Sequence, residues 1–265
     1  MAEQGLLFPA DAGQPIQAVT VRTLTVHDLK DVLKRGLDDF NANPTHKIFV
    51  SLIYPVFGLL LFWAAAERNL VPLIFPLVSG FALVGPFLAI GLYEMSRCRE
   101  RGEPVSVARA FNIFRCPAKG ALLSLGLILA ALFFAWLVTA LLVYDLTVGA
   151  LAPQTVADFA RVLFTTSEGF TLIVVGNALG FVFALTALAI SAISFPLILD
   201  RHVGLGAAIM TSVDAIVKNP VPMLVWGLIV AVSLLIGALP ALFGLAVVFP
   251  ILGHATWHLY RRVVG

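Results

Sequence analysis

The fold is decided by residues 41–58, NANPTHKIFVSLIYPVFG, in which an Asn-Pro pair, a histidine and a lysine stand directly before a hydrophobic run. The same order returns in residues 114–126, FRCPAKGALLSLG, and in residues 217–227, VKNPVPMLVWG. The three X-Pro pairs are Asn43-Pro44, Cys116-Pro117 and Asn219-Pro220. Because proline moves the preceding residue out of the α region, each pair predicts the end of one helix and a turn into the next.

The composition is that of a membrane protein. Hydrophobic residues make up 60% of the 265 residues and charged residues only 12%, whereas soluble domains are about 45–50% apolar and about 25% charged. The apolar runs are long and continuous instead of alternating, which favours helices over strands. The sequence therefore predicts an all-α integral membrane protein.

Four apolar runs have charged residues at their ends, and each run is long enough to cross about 30 Å of hydrocarbon at about 1.5 Å per residue. The first three contain 19, 25 and 25 uncharged residues, and the fourth contains 31, which predicts a tilted or kinked helix. These predicted spans occupy residues 48–66, 69–93, 120–144 and 169–199.

Residues 219–260 form a longer run of 42 residues without Asp, Glu, Lys or Arg, twice what one span requires. Gly237 and Pro240 lie near its midpoint and predict a tight hairpin. Spans five and six then cover about residues 221–239 and 241–259, which makes six transmembrane helices.

This topology places 15 of the 17 lysine and arginine residues on one side of the membrane. The other two, Arg68 and Arg161, lie on the opposite side. The positive-inside rule therefore places both termini in the cytoplasm. Residues 1–24 are polar and interrupted by Pro and Gly, which predicts a mobile cytoplasmic tail before a single membrane domain at residues 25–265.

The segments before the X-Pro pairs have residues at helical spacing, at positions four, seven and eleven before the proline. In the first and third segments all three of these residues are apolar. The residues at these positions are Leu33, Leu37 and Phe40; Ser106, Ala110 and Ile113; and Ile209, Val213 and Ile216. The segments are too short and polar to span, so they predict amphipathic helices lying in the membrane interface. Thr25 and Asp28 predict the N-terminal cap of the first helix.

Proline also recurs in the second span of each pair, in VGPFLAI, AISFPLIL and VVFPILG. Pro86, Pro196 and Pro250 are predicted to kink these spans, with neighbouring helices satisfying the freed carbonyls. The chain then consists of three pseudo-repeats, each an interfacial amphipathic helix followed by a two-span hairpin. They cover about residues 25–100, 103–201 and 205–262.

Residues 153–166, PQTVADFARVLFTT, interrupt the loop between spans three and four. A Thr155/Asp158 cap followed by apolar residues at helical spacing predicts a short helix on the outer surface. The alternative is a tolerated loop insertion.

Four histidines lie near the predicted cytoplasmic boundary: His46, His202, His254 and His258. His254 and His258 are four residues apart on one helix face, a spacing able to chelate a metal or present haem ligands. The alternative is that they anchor the helix end in the interface, together with Trp257 and Tyr260. Asp200 and Glu94 lie at a similar level, but no obvious third ligand is indicated.

No charged residue lies inside a predicted span, and no P-loop, G-x-S-x-G or H-E-x-x-H motif is present, so the sequence indicates no enzyme class. Asn177 is among the few polar residues in the predicted spans and indicates hydrogen bonding within or between helices, or else a permeation path. GNALG, residues 176–180, matches G-x-x-x-G and predicts a close helix contact.

Two stretches carry a family resemblance: LTVHDLKDVLKRGLDDFNANPTHKIFVSLIYPVFGLLL, residues 24–61, and GPFLAIGLYEMSRCRERGE, residues 85–103. The chain resembles an uncharacterised family of bacterial integral membrane proteins, the domain-of-unknown-function family 2189, from about residue 22 onward. The resemblance implies a multi-pass protein of the bacterial inner membrane and no particular activity.

The predicted function is that of a non-enzymatic accessory, scaffold or assembly factor that binds membrane partners or lipids, its basic side attracting anionic headgroups. The alternative is a small-solute transporter or channel, because pseudosymmetric repeats occur in transporters. A third interpretation, a haem- or metal-binding respiratory accessory, depends on the histidines. The sequence specifies no cofactor, and nucleic acid is not an expected partner.

Overall fold

A computed structural model describes residues 19–42, 58–59, 63, 74–105, 117–151, 153, 155–239 and 243–265, and within these ranges the fold is all-helical without strands. The helices are α1 Asp28–Ala42, α2 Ile74–Leu88, α3 Ile90–Glu100, α4 Lys119–Thr147, α5 Val156–Thr165, α6 Ser167–Ser191, α7 Ser194–Arg201, α8 Leu205–Lys218, α9 Pro220–Ala238 and α10 Leu245–Val263. The all-α prediction is therefore confirmed for these ranges.

Four segments of the described chain are long and apolar enough to cross a membrane: Phe75–Glu100, Lys119–Thr147, Ser167–Arg201 and Pro220–Ala238. They correspond to the predicted spans two to five. Of predicted span one, residues 48–66, the structure describes residues 58–59 and 63 alone. Predicted span six corresponds to α10, whose C-terminal half carries His, Trp, Tyr and Arg residues, so the count of six stays a prediction.

The chain changes helix at the third X-Pro pair. Helix α8 ends at Lys218, and Pro220 is the first residue of α9, where its missing N–H leaves no helical hydrogen bond unmade. The N–H of Asn219 donates to the carbonyls of Ala215 and Ile216 at 3.1 and 3.2 Å. At the second pair, Pro117 lies two residues before α4. Asn43, Pro44 and Cys116 lie outside the described residues.

The three prolines of the second spans differ in their surroundings. Pro86 lies inside α2, which ends at Leu88. Pro196 lies in the first turn of α7, directly after the break that separates α6 from α7. Pro250 lies inside α10, which continues through it to Val263. Proline accompanies a helix break in the first two cases and not in the third.

Helix α8 supports the break between α6 and α7. The N–H of Ile193 donates to the hydroxyl of Ser212 on α8 at 3.2 Å. The hydroxyl of Ser194 lies 2.7 Å from the carbonyl of Ile190 and 3.0 Å from that of Ala208 on α8. A buried N–H released by a helix break needs such a partner, so α8 stabilises the bent span.

Residues 19–24, which the sequence assigned to the tail, pack on the helical domain. The N–H of Arg22 donates to the Val263 carbonyl at 2.7 Å, and the N–H of Gly265 donates to the Thr20 carbonyl at 3.1 Å. Asn219 accepts from the N–H of Leu24 at 2.6 Å and donates to the Arg22 carbonyl at 3.0 Å. These bonds join the N-terminal segment, the α8–α9 turn and the C-terminal end.

The core lies where α3, α7 and α10 meet, with α1 packed against α10. Its largest fully buried side chains include Tyr93, Phe195, Trp257 and Tyr260. The spans α4 and α9, in contrast, keep many large apolar side chains exposed, as lipid-facing helices do. Buried packing is therefore concentrated at one end of the spans.

Candidate functional site

Helix α1 begins with a capping box. The N–H of Thr25 donates to the Asp28 carboxylate at 2.8 Å, and the N–H of Asp28 lies 3.3 Å from the Thr25 hydroxyl. The same carboxylate receives the guanidinium of Arg262, whose Nε lies 3.1 Å away. The Thr25 backbone and hydroxyl, followed by Arg262, lower the pKa of Asp28 to about 2. One residue thus starts α1 and fixes it to α10.

The middle of α1 approaches α10 closely at Gly36. A Cβ atom on Gly36 would lie 2.7 Å from the Ala255 Cβ and 2.8 Å from the Ile251 carbonyl oxygen. Because Asp28 meets Arg262 while Gly36 meets residues 251 and 255, the two helices are antiparallel. Leu29 and Val32, both buried, lie on this same face of α1.

The C-terminal half of α1 contributes Asp39 to a group of five side chains that we call the polar centre: Asp39, Ser96, Arg99, His254 and His258. Asp39 Oδ2 lies 2.5 Å from the Ser96 hydroxyl and 2.9 Å from His258 Nε2, and Asp39 Oδ1 lies 2.6 Å from Arg99. His254 Nδ1 lies 2.8 Å from the Ser96 hydroxyl. The polar centre thereby joins α1, α3 and α10.

Hydrogen-bond geometry orders the protons in the polar centre. A serine hydroxyl has one hydrogen, and that of Ser96 points at the Asp39 carboxylate. The proton between Ser96 and His254 therefore belongs to Nδ1 of His254. Burial alone raises the pKa of Asp39, but hydrogen bonds from His258 and Ser96 outweigh it and leave the pKa below its usual value. Asp39 is a carboxylate with three donors.

This order of protons disfavours nucleophilic catalysis at Ser96. In a catalytic triad the serine donates to a histidine that a carboxylate orients, whereas Ser96 donates to the carboxylate itself. Ser96 is also only 1% exposed and so is closed to a substrate. The polar centre is instead suited to holding three helices together.

A second group of side chains, the rim, lies where α3 and α7 meet the C-terminal half of α10. The Tyr260 hydroxyl donates to Asp200 at 2.8 Å, and Arg101 lies 3.2 Å from the same carboxylate. Glu100 accepts from Trp257 at 3.0 Å and from Arg261 at 3.1 Å. Burial and the Asp200 charge raise the pKa of Tyr260, so its hydroxyl stays a neutral donor.

Ion pairs within the protein engage five of the arginines expected to attract anionic lipid. Arg99 pairs with Asp39, Arg101 with Asp200, Arg261 with Glu100 and Arg262 with Asp28. Arg97 lies 2.8 Å from Glu94 on its own helix. These arginines mainly stabilise helix contacts within the protein.

The structure brings two of the predicted metal ligands, His254 and His258, into the polar centre, each with its own hydrogen-bond partner. His254 contacts Ser96 and His258 contacts Asp39, while His202 ends α7 in a left-handed conformation and is exposed. His46 lies outside the described residues. Among the described residues no group of three or more His, Cys, Asp or Glu side chains has the arrangement to hold a metal ion.

Sequence reasoning missed Asp39 and Ser96 as members of a site. Asp39 stands among charged residues of an amphipathic helix, and Ser96 stands 57 positions further along the chain. Their only local signal is that both lie near the ends of helices on the side predicted to be basic. The sequence predicted that a helix ends at Asn219. It did not predict the hydrogen bond from the N–H of Leu24, 195 positions away, to the Asn219 side chain.

The free face of α1 has an ordered pattern. Next to the face that contacts α10 lies an apolar stripe in which Leu37 is 43% exposed, and Val26, two residues before the helix begins, is 45% exposed. Lys30 and Lys34 follow the stripe around the helix, and both are exposed without an ion pair to a described residue. Asp31 and Asp38 lie further around. An apolar stripe flanked by lysines is typical of helices in a membrane interface.

Together these features define the class: a helical integral membrane protein in which the amphipathic helix α1 and the helices α3, α7 and α10 meet in a polar, ion-paired cluster. Residues 74–200, from α2 to α7, match the model of the family described as "Predicted integral membrane protein (DUF2189)". The resemblance stated from the sequence is thereby confirmed over these residues. No curated protein and no solved structure matches the chain significantly.

Proposed function

We propose that the protein is a non-enzymatic scaffold of the bacterial inner membrane that binds anionic lipid through α1 and transmits that binding to the central helices. The single observation that carries the proposal is the pattern of α1. Its inner face is held to α10 by hydrogen bonds of Asp28 and Asp39 and by the close approach at Gly36. Its apolar stripe, and the two lysines that have no ion pair to a described residue, are free to meet acyl chains and headgroups.

The finer topology belongs to this proposal. Six spans in three like-oriented units, with both termini cytoplasmic, would set α1 and α8 flat on the inner leaflet. Helix α8 supports such a position because its polar residues Thr211 and Ser212 are buried while Met210 and Val217 are 51% and 70% exposed. A helix with apolar residues outward fits acyl chains and not water.

A probe on α1 tests the proposal directly. Leu37→Cys, carried in the full chain with Cys98 and Cys116 replaced by serine, is labelled with an environment-sensitive fluorophore and reconstituted into vesicles. In vesicles containing phosphatidylglycerol we expect blue-shifted emission and quenching by lipid-borne quenchers, because the stripe lies below the headgroups. In purely zwitterionic vesicles both effects should be weaker.

Charge reversal supplies the matched control. Lys30→Glu with Lys34→Glu should remove the preference for anionic vesicles, because each lysine near such a surface contributes about 1 kcal/mol. Arg35→Glu changes the charge on the side of α1 away from the lysines and should have a smaller effect. A fluorophore that stays in water in both lipids, or equal responses to both reversals, would refute lipid binding by α1.

A further inference from the structure

Asn177 is an exposed amide inside a candidate membrane span. It lies in α6, nine residues after Glu168, which is about 14 Å along a helix. The segment Ser167–Arg201 is long and apolar enough to cross the bilayer, so this depth lies well inside about 30 Å of hydrocarbon. Water is therefore not available to solvate the amide.

The amide of Asn177 keeps unused hydrogen-bonding capacity. Its Nδ2 donates to the Ile173 carbonyl at 2.7 Å, which uses one of two N–H groups. Thr171 and Thr186 on the same helix donate their single hydroxyl hydrogen to the carbonyl four residues earlier, both at 2.8 Å. The threonines thus satisfy their donors locally, whereas Asn177 retains one N–H and its carbonyl oxygen.

The surface around Asn177 is open along most of α6. Phe170, Val174 and Phe181 are 66%, 51% and 61% exposed on the same side of the helix, and Ala184, one turn beyond Phe181, is exposed as well. A Cβ atom added to Gly180, the second glycine of the G-x-x-x-G match, would lie 3.1 Å from Trp136. That glycine contacts α4 inside the molecule, so the open face is centred on Asn177.

We propose that this face binds a second copy of the same chain, with Asn177 of one α6 hydrogen-bonded to Asn177 of the other. An amide has both a donor and an acceptor, so two copies related by a two-fold axis satisfy each other without any further group. Polar side chains that cannot be solvated in lipid join helices in this way. The homodimer is independent of lipid binding by α1.

The test is dimerisation of the full chain in lipid. Copies labelled with a donor or an acceptor fluorophore are reconstituted together at decreasing protein-to-lipid ratios, and energy transfer gives the dissociation constant. Asn177→Leu should weaken the dimer about 5- to 30-fold, and Asn177→Gln should recover part of the loss. Thr186→Leu, on the opposite face of α6, is the matched control and should leave the constant unchanged.

Disulfide cross-linking locates the contact. In a chain with Cys98 and Cys116 replaced by serine, Val174→Cys should cross-link between copies and Val182→Cys, on another face, should not. Unchanged thermal unfolding of Asn177→Leu shows that lost energy transfer reflects the contact and not misfolding. A monomer at every ratio, equal cross-linking at both positions, or a different protein cross-linked at Val174 in place of a second copy would overturn the proposal.

Discussion

Asp39 accepts hydrogen bonds from three side chains on two other helices, and these bonds couple α1 to α3 and α10. Its donors come from two helices, Ser96 and Arg99 on one and His258 on the other. A carboxylate with several donors is worth more than the same number of bonds between neutral groups. Its removal leaves those donors without their acceptor.

Asp39→Asn should therefore lower the free energy of unfolding by about 1–3 kcal/mol. The asparagine keeps the shape of the side chain but loses the charge that Arg99 and Ser96 face. Unfolding by sodium dodecyl sulfate in mixed micelles measures the loss. Asp38→Asn, one residue away and exposed, is the control and should change the free energy of unfolding only slightly. Equal losses would show that the polar centre does not stabilise the fold.

Asp28 predicts a dependence of stability on acid. Its pKa in the folded protein is about 2, below the usual value of 3.8. A lowered pKa contributes stability that is present above pH 3.8 and is lost as the pH falls through about 2. Asp39, whose pKa is also lowered, acts in the same direction.

We therefore expect the thermal midpoint of the native protein to fall between pH 4 and pH 2. Asp28→Asn should start with a lower midpoint at pH 6 and lose less on acidification, so that the two curves approach each other near pH 2. Asp31→Asn, on the exposed side of α1, should follow the native curve. Parallel curves for the native protein and Asp28→Asn would contradict the role of Asp28.

The sequence predicts single residues well where their partners are local. Thr25 and Thr155 cap α1 and α5 as their spacing to Asp28 and Asp158 indicates. The polar centre could not be predicted, because its members come from residues 39 to 258 and meet only when three helices pack. The two histidines were recognised as a pair, but their spacing alone does not distinguish metal ligands from hydrogen-bond partners.

At the scale of the element, α1 depends on a contact between backbones. A side chain at Gly36 would meet the amide nitrogen of Ala255 and the carbonyl of Ile251, both 2.8 Å from the added atom. Backbone atoms of a packed helix cannot move aside as a flexible side chain can. The two helices must separate to make room.

Gly36→Ala should therefore displace α1 and destabilise the protein by about 1–3 kcal/mol, although alanine favours helices more than glycine does. Hydrogen exchange measured by mass spectrometry should show faster exchange in α1. Gly206→Ala is the control, because a Cβ on Gly206 meets nothing within 4 Å. It should leave exchange in α1 unchanged, and protection of α1 in Gly36→Ala would disprove the close approach.

Elements were predictable to the extent that they depend on local patterns. The runs bounded by charges gave the spans that correspond to α2–α3, α4 and α6–α7, and the hairpin predicted at Gly237 and Pro240 gave the span that corresponds to α9. The side that α8 turns to the protein was harder to foresee, since Thr211 and Ser212 are buried to serve the break between α6 and α7. Tertiary hydrogen bonding there reverses the usual amphipathic pattern.

At the scale of the whole molecule, the segments that end the three predicted units meet one another. Helices α3, α7 and α10 each lie at or after one of the recurring prolines and pack together, with Asp200 and Tyr260 among their contacts. Such convergence is what pseudosymmetry about the membrane normal would produce, and it supports the three-unit proposal. Composition and periodicity define the units but not the long-range contacts between them.

The number of spans depends on α10. Phe243 precedes this helix, and at its other end Val264 pairs with Val21. Arg22 therefore lies on the same side of the membrane as the C-terminal end of α10. If α10 crosses the membrane, as the six-span topology requires, Arg22 and Phe243 lie on opposite sides. If α10 stays at one surface, they share a side.

Single cysteines at these positions decide between the two topologies. With Cys98 and Cys116 replaced by serine, we expect an impermeant maleimide added to spheroplasts to label Phe243→Cys, together with Arg161→Cys, which the six-span topology also predicts to lie outside. It should label Arg22→Cys, and Lys218→Cys on the predicted inner side, only after the membrane is opened. Labelling of Arg22→Cys and Phe243→Cys under the same condition would mean that α10 does not cross, because residues joined to its two ends would then lie on one side.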